Sequence, residues 1–512
     1  MDHAKPFCIA IRDVEDAYKR VKANQGAAGV DGQTIEQFEE EVEHNLYRLW
    51  NRPCSGSYVP PPVRRVDIPK GDGRLRPLGI PTVSDRIAQM VVQRYLEPIV
   101  KPLFHDDSYG YRPGRSAHQA LSVARQRCWR YNWVLDLDIK SFFETIGWEL
   151  LLRAVRRHTD CTWVLLYIER WLKAPVCMPD GTLAERSQGT PQGAVISPLL
   201  GNLFLHEAFD RWMAEQHADI PFERYADDIL CHCVSEAQAR ALQDALGQRL
   251  FQCQLELHPH KTKIVSCKDA NRRGSYPEQQ FDFLGYTFRP RSSKNRTGQL
   301  FVRFAPAVSE KAAKAMRQRV RRWRLHHRND LGLEELARWT RPMVMGWVRY
   351  YGRFHASALR RALRTLDDFL VRWATRKYTR LRAHKGRAWQ WLWRIIARQP
   401  DLFAHWALVS AVGRWEPDEP RGSRPVLGGR GGVIPLRYST LDGEPDMVRH
   451  RGHEHGIASV RPAQSTTNAS TWGQLLGGCV EGKRHILRWP RLSDAGLIRY
   501  RRRRGRTKQT HG

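Results

Sequence analysis

The stretch 222-FERYADDILCHCV-234 sets two short extended runs, 222-FERYA-226 and 229-ILCHCV-234, on either side of an adjacent pair of aspartates. Aromatic and apolar residues bounded by a turn former suit strands, and Asp favours the tight connection between them. The spacing predicts a β-hairpin whose turn carries Asp227 and Asp228. Cys231 and Cys233 alternate in the second run and would face one side of it. About 90 residues upstream, 133-WVLDLDI-139 reads as a separate strand that ends at Asp138 and runs into the helix-like 141-SFFETI-146. An isolated Asp-Asp pair is ordinary turn chemistry. Here the β-rich setting and the second strand-end aspartate make it a candidate site.

Three carboxylates from two strand ends suit two hard divalent cations when phosphates and waters supply the other oxygen ligands. Metals about 3.5–4 Å apart can activate an attacking hydroxyl and stabilise a leaving group in the same displacement. Asp136 lies on the same strand and face as Asp138, two residues earlier. It is the alternative third ligand, less available because it sits further into the strand.

Around this centre, residues 9–24 and 34–50 read as helices, the second with Ile35, Phe38, Val42 and Leu49 at near-helical spacing. The segment 58-YVPPPVRRVDIPKGDGRLRPLGIP-81 reads as extended pieces around a turn at Gly71–Gly73. A long helix follows from Asp85, with Ile87, Val91 and Tyr95 on one face. Helices are expected at 148–158 and 236–252. Strands mixed with helices argue for α+β or α/β layer packing. From about residue 308 the texture becomes helical and basic. Met316, Val320 and Trp323 fall at helical spacing, with Lys311, Lys314, Arg317, Arg321 and Arg324 on other faces. More helices are expected at 333–353, 356–383 and 387–398. Beyond about Gly413 periodicity is lost, and 413–512 reads as a mostly disordered basic tail.

Charge narrows the partners. Lys plus Arg is 84 against 53 Asp plus Glu, a net charge of +31 over 512 residues. A field that strong repels itself unless a polyanion neutralises it, and nucleic acid is the first choice. The 18 Trp interleaved with basic residues suit RNA, whose unstacked bases can rest on rings, although most single Trp belong to cores. The ten Cys contain no C-x-x-C pair, so reduced thiols in a cytoplasmic protein are expected. No apolar run reaches the roughly 20 residues that cross a bilayer, so no membrane partner is expected.

The chain resembles the group II intron-encoded reverse transcriptases. The resemblance rests on 225-YADD-228, 136-DLDIKSFF-143, 188-QGTPQGAVISPLLGNLFL-205, 26-GAAGVDGQTIEQF-38, 69-PKGDGRLRPLGIPTVSDRI-87, 255-LELHPHKTKIV-265 and 281-FDFLGYTF-288, in order, with 346-GWVRYYGRF-354 resembling the family's maturase segment. It implies an α+β, right-hand polymerase of fingers and palm with an antiparallel sheet, then an α-helical thumb/maturase domain. The divisions would be an N-terminal helical extension at 1–60, fingers and palm at 61–300, thumb/maturase at 305–412 and the tail at 413–512. It implies an RNA-directed DNA polymerase that also assists intron splicing and mobility, with intron RNA, a DNA primer or target and deoxynucleoside triphosphates as partners. A splicing-only maturase, or another bacterial reverse transcriptase such as a retron or defence enzyme, is the alternative.

The resemblance also implies roles. Asp138, Asp227 and Asp228 would bind two Mg2+ ions. Lys70 and Arg76 would clamp the triphosphate, a fork and a point charge both suiting phosphate. Phe143 would lie under the sugar and clash with a 2′-hydroxyl, while Gln192 lines the nucleotide pocket and Gly193 allows close backbone approach there. Lys261 and Lys263 would approach triphosphate or template, and Gly285 would belong to a primer-gripping hairpin. Trp347, Tyr350 and Tyr351 are expected in the core. The chain has Glu144 where the family commonly has Asp, which keeps the charge. A C-terminal endonuclease with paired Cys and His is not expected, because Cys479 is the one Cys after Cys267 and 450-HRGHEH-455 lacks partners.

Overall fold

A computed structural model describes residues 6–69, 75–272, 274–294 and 297–408. Lys70, the Gly71–Gly73 turn, and the 413–512 tail with its 450-HRGHEH-455 segment lie outside these. The described chain mixes α and β elements. It opens with α1 (Ile11–Asn24), α2 (Ile35–Glu40) and α3 (Val42–Ser55). The single helix expected over 34–50 is two, because the backbone leaves helical geometry at Glu41 (φ −124°, ψ 44°). A reciprocal cap starts α2: Gln37 N–H donates to Thr34 Oγ1 and Thr34 N–H to Gln37 Oε1.

Strands β1 (Val63–Pro69) and β2 (Leu75–Ile80) form an antiparallel hairpin. Helix α4 (Val83–Val100) follows, capped by Thr82 Oγ1. Its twelve buried residues leave few outward positions, so it is a central strut rather than a surface helix. Tyr95 departs from the expected stripe. It is 39% exposed and packs edge-on against Trp163. Next come α5 (Ala117–Arg130), β3 (Trp133–Asp138), the single turn α6 (Phe142–Thr145), α7 (Trp148–Arg156) and α8 (Thr162–Lys173). Two-residue strands β4 (Val176–Cys177) and β5 (Leu183–Ala184) extend the first hairpin into a sheet ordered β2-β1-β4-β5.

Helices α9 (Ser197–Leu205) and α10 (Arg211–Gln216) are joined by a π-helical turn, His206–Asp210. The predicted hairpin is β6 (Phe222–Tyr225) and β7 (Asp228–Cys233), followed by α11 (Glu236–Gln252) and β8 (Lys263–Ser266). These strands join β3 in an antiparallel sheet, β6-β7-β3-β8. Both its faces are covered. Cys231 and Cys233 point, as alternation requires, into the core that runs from Ile9 to Leu255, and Leu230 points into a second core with Tyr109, Leu121 and Phe288.

Strands β9 (Phe281–Phe283), β10 (Tyr286–Lys294) and β11 (Leu300–Val308) make a third sheet. Helices α12 (Glu310–Arg322), α13 (Leu333–Tyr351), α14 (Ala356–Lys377) and α15 (Lys385–Arg398) complete the described chain around a core of their own. Trp373 and Trp406 are fully buried in that core, and Trp347 stacks on Trp323 at its edge. No helix among the described residues is long and apolar enough to cross a membrane.

Candidate active site

The sheet register brings the predicted carboxylates together. In the β3–β7 pair Asp138 stands directly opposite Asp228, and Tyr225 pairs with Asp228 across the hairpin. Ala226 and Asp227 are therefore the turn itself. Ala226 has φ +59°, a left-handed conformation that costs a residue with a Cβ about 1–2 kcal/mol. Such strain persists only where the surroundings impose it.

The surroundings are specific. Gly110 lies flat on the turn, and a Cβ there would come within 2.3 Å of Ala226 N. Asn202 Nδ2 donates to Gly110 O at 2.7 Å, and its Oδ1 accepts from Arg224 at 3.0 Å. Arg224 also donates to the Ala226 carbonyl at 3.2 Å and grips Asp210 with both arms of its fork, at 2.7 and 2.6 Å. The Arg224 and Asp210 side chains are completely buried. Burial pushes the Asp210 carboxyl up, but Arg224 and His206 outweigh it and hold it below the usual range. The π-helical turn accounts for the reach, since one extra residue per turn re-aims Asp210. Sequence reasoning did not single out Gly110, Asn202, Asp210 or Arg224. A signal existed: a charged pair, Glu223 and Arg224, inside a run that otherwise reads as buried strand.

The carboxylates repel one another. Asp228, the first residue of β7, keeps an exposed edge. Loss of surrounding water, then the charges of Asp227 and Asp138, raise it to about 7. Desolvation and Asp138 also raise Asp227, against Arg76 and Lys261. Asp136 is raised further, to about 8, by desolvation and then by Asp228 and Asp138. Its partners across the sheet are Leu230 and Lys263, so it sits inside the ladder, as expected of the less available acid. Lys261 meets Asp138 directly, Nζ to Oδ2 at 2.6 Å. Lys263 instead pairs with Glu278 at 3.3 Å. Tyr111, also not foreseen, stands beside Asp227, Arg76 and Asp228; desolvation and the two carboxylates raise its hydroxyl. Among the described residues no group of three or more His, Cys, Asp or Glu side chains is arranged to hold a metal ion. The donor set is nonetheless all carboxylate oxygen and short of positive charge, which fits hard divalent cations.

The nucleotide-pocket candidates lie along one edge. Phe142 is buried, while the Phe143 ring beside it, at 5.1 Å, is half-buried. Gln192 is half-buried, and its Nε2 reaches Glu144 Oε1 at 3.5 Å. Arg76 is exposed on β2 and close enough to Asp227 to lower it. Two glycines serve neighbours other than those expected. A Cβ on Gly193 (φ +111°) would meet Gly79 O at 2.7 Å, so it allows close packing of protein on protein. A Cβ on Gly285 (φ +78°) would meet the Tyr351 hydroxyl at 2.9 Å, which is how α13 seats on the β9–β10 hairpin.

Comparison with known proteins decides the family. Residues 68–288 match the model of "Reverse transcriptase (RNA-dependent DNA polymerase)", and 313–395 that of "Group II intron, maturase-specific domain". The chain is 32% identical over 312 residues to Protein YkfC of Escherichia coli K12, covering 54% of this chain and 78% of that one. It is 35% identical over 194 residues to the group II intron-encoded protein LtrA of Lactococcus lactis subsp. cremoris, covering 37% of this chain and 32% of LtrA. The chain belongs to the group II intron-encoded reverse transcriptase and maturase family. It thus spans most of YkfC but about a third of LtrA. This reverse transcriptase carries the polymerase and maturase segments in the order expected, and domains of its kind use divalent metal ions. A telomerase structure from Candida albicans aligns with 74% of this chain and 68% of its own at 12% identity, with a TM-score of 0.38.

The pocket geometry gives a first expected result. On the expectation that Phe143 lies under the sugar, Phe143→Ala raises ribonucleotide incorporation relative to deoxynucleotide by roughly tenfold or more, because truncating the half-buried ring opens room for a hydroxyl. Phe142→Ala instead costs about 3–5 kcal/mol of stability and leaves sugar choice alone. The ratio of kcat/KM for the two nucleotides, measured beside the melting temperature, separates them. Relaxed sugar choice in Phe142→Ala alone would reverse the assignment.

Proposed function

We propose that this reverse transcriptase copies intron RNA into DNA at Asp138, Asp227 and Asp228, and that it assists splicing and mobility of the intron that encodes it. The observation that carries this reading is the register pairing Asp138 with Asp228 beside a fixed Asp227 turn. In the right-hand arrangement, β6-β7-β3-β8 is the palm, the β1–β2 hairpin belongs to the fingers, and the described residues from 305 to 408 belong to the thumb and maturase domain. Asp138, Asp227 and Asp228 would hold two Mg2+ ions, which when bound acidify the primer 3′-hydroxyl and stabilise the departing pyrophosphate. The hydroxyl oxygen gives up its proton to solvent and forms a bond to the α-phosphorus of a deoxynucleoside triphosphate as the bond to pyrophosphate breaks. Arg76, with Lys70 from outside the described residues, orients the triphosphate, and Phe143 and Gln192 shape the sugar site. Lys261 holds Asp138 in place through its Oδ2. Extension of a DNA primer on an RNA template, with Mg2+ and deoxynucleotides, tests the reading; no extension by the wild-type protein would favour a splicing-only maturase.

Helix α12 supplies the RNA surface in this reading. Lys311, Lys314 and Arg321 are exposed while Ala313, Met316 and Val320 are buried, so one face is cationic and the other is core, and Arg324 is exposed just beyond the helix end. Each phosphate neutralised there releases counterions. RNA affinity therefore falls by about a hundredfold or more between 50 and 200 mM salt, measured by filter binding. A flat salt response would remove the basic face from the RNA path.

A further inference from the structure

Behind the pocket edge, a buried polar chain runs through α4. Asp85 and Gln89 are one helical turn apart and almost wholly buried, at 1% and 2% exposure. Asp85 Oδ1 accepts from the Tyr58 hydroxyl at 2.9 Å and from Trp171 Nε1 at 2.6 Å, while Oδ2 accepts from Gln89 Nε2 at 2.8 Å. That last bond fixes which way the Gln89 amide points. Its Oε1 therefore faces the segment after the PQG turn, accepting from Val195 N–H at 2.8 Å and Ile196 N–H at 3.4 Å.

The segment so held carries Gln192. Besides the Gln192–Glu144 contact and the Ser197 hydroxyl, which donates to Pro191 O at 2.9 Å, its fastenings are backbone bonds, Thr190 N–H to Phe143 O at 2.7 Å and Gly79 N–H to Gln192 O at 2.7 Å. Thus 190–196 is tied to Phe143 at one end, to β2 in the middle and to Gln89 at the other end. Among the described residues, Gln89 is the one side chain outside the segment that holds it by two backbone amides. A buried backbone N–H left without a partner moves to find one. We infer that Gln89, oriented by Asp85 with Tyr58 and Trp171, is a positioning residue that sets the nucleotide pocket by holding the 190–196 segment. The inference rests on the proposed reading that Gln192 and Phe143 line that pocket.

The asymmetry of the carboxylate supports the arrangement. Three neutral donors meet Asp85, but burial outweighs them and lifts it to about 6. Replacing Trp171 or Tyr58 by an apolar side chain would take away part of what orients Gln89, without touching the segment.

The test is steady-state primer extension by the full-length protein, with deoxynucleotide concentration varied. Gln89→Met keeps the length of the side chain and removes its acceptor. KM for deoxynucleotide should rise about tenfold while kcat changes by less than about twofold, with affinity for primed template unchanged. Tyr58→Phe, which keeps the ring and removes one donor to Asp85, should raise KM by about twofold. Wild-type KM in a Gln89→Met protein that melts like the parent would overturn the inference. If Gln89→Met fails to fold, Tyr58→Phe decides, and an unchanged KM there overturns it. Gln192→Ala separates the two ideas. A raised KM in Gln192→Ala with none in Gln89→Met leaves the pocket reading standing and removes Gln89 from it. No change in Gln192→Ala removes the pocket reading itself.

Discussion

Asp227→Asn reduces cDNA synthesis on a primed RNA template by about a thousandfold or more, with little change in RNA affinity. Asparagine has the same shape and fits the same turn, so Ala226 and Asp228 keep their places. What goes is one unit of negative charge from the carboxylate cluster that would face the cations. The raised Asp227 and Asp228 carboxyls record the crowding: burial lifts both, Asp138 adds to each, and Asp227 adds to Asp228. Asp228→Asn should match it. Comparing Asp138→Asn with Asp136→Asn then settles the third position. Asp138 stands at the strand end opposite Asp228, while Asp136 sits between Leu230 and Lys263, so the first should be nearly inactive and the second should lose far less. Extension at the wild-type rate by Asp227→Asn would remove these carboxylates from the chemistry.

Asp210→Ala is expected to be the most destabilising change near the site, by about 3–5 kcal/mol, because it leaves the Arg224 guanidinium charged, dry and without its anion. Denaturant unfolding reads that loss directly. The double replacement Asp210→Leu with Arg224→Met removes both charges and should recover most of the stability. It should not recover polymerisation, because the donors to Asn202 and to the Ala226 carbonyl are gone and the left-handed turn is no longer held. Full activity in a stable double variant would make the pair purely a matter of folding.

The chemistry-bearing residues were legible because they are written in local patterns. Strand alternation around 225-YADD-228 located the hairpin, and the strand ending at Asp138 located its partner. The Asp138–Asp228 pairing itself was not local, since it depends on register between strands about 90 residues apart. The same limit hid Arg224, Asp210 and Asn202, whose roles arise from side chains meeting across a π-helical turn that no short-range signal announces. Gly193 and Gly285 show a subtler gap. Their positive φ and the need for bare backbone agreed with the motif, but the neighbours were Gly79 and Tyr351 of the protein itself. The break at Glu41 was missed because apolar spacing continues through it. Tyr95 was misplaced because a helix enclosed on most sides has no single stripe.

The β3–β7 register also governs where this chain can change length. An extra residue in the turn at Met178–Thr182, or in the connection between α11 and β8, lengthens a loop and leaves the carboxylates facing one another. One extra residue between Trp133 and Asp136 does something different. It slides every later side chain of that strand to the opposite face of the sheet, turning Leu137 toward the cleft and Asp138 into the apolar core. Insertions and deletions accumulating in this protein over evolutionary time should thus spare six residues of β3 and six of β7, whatever happens to the letters within them.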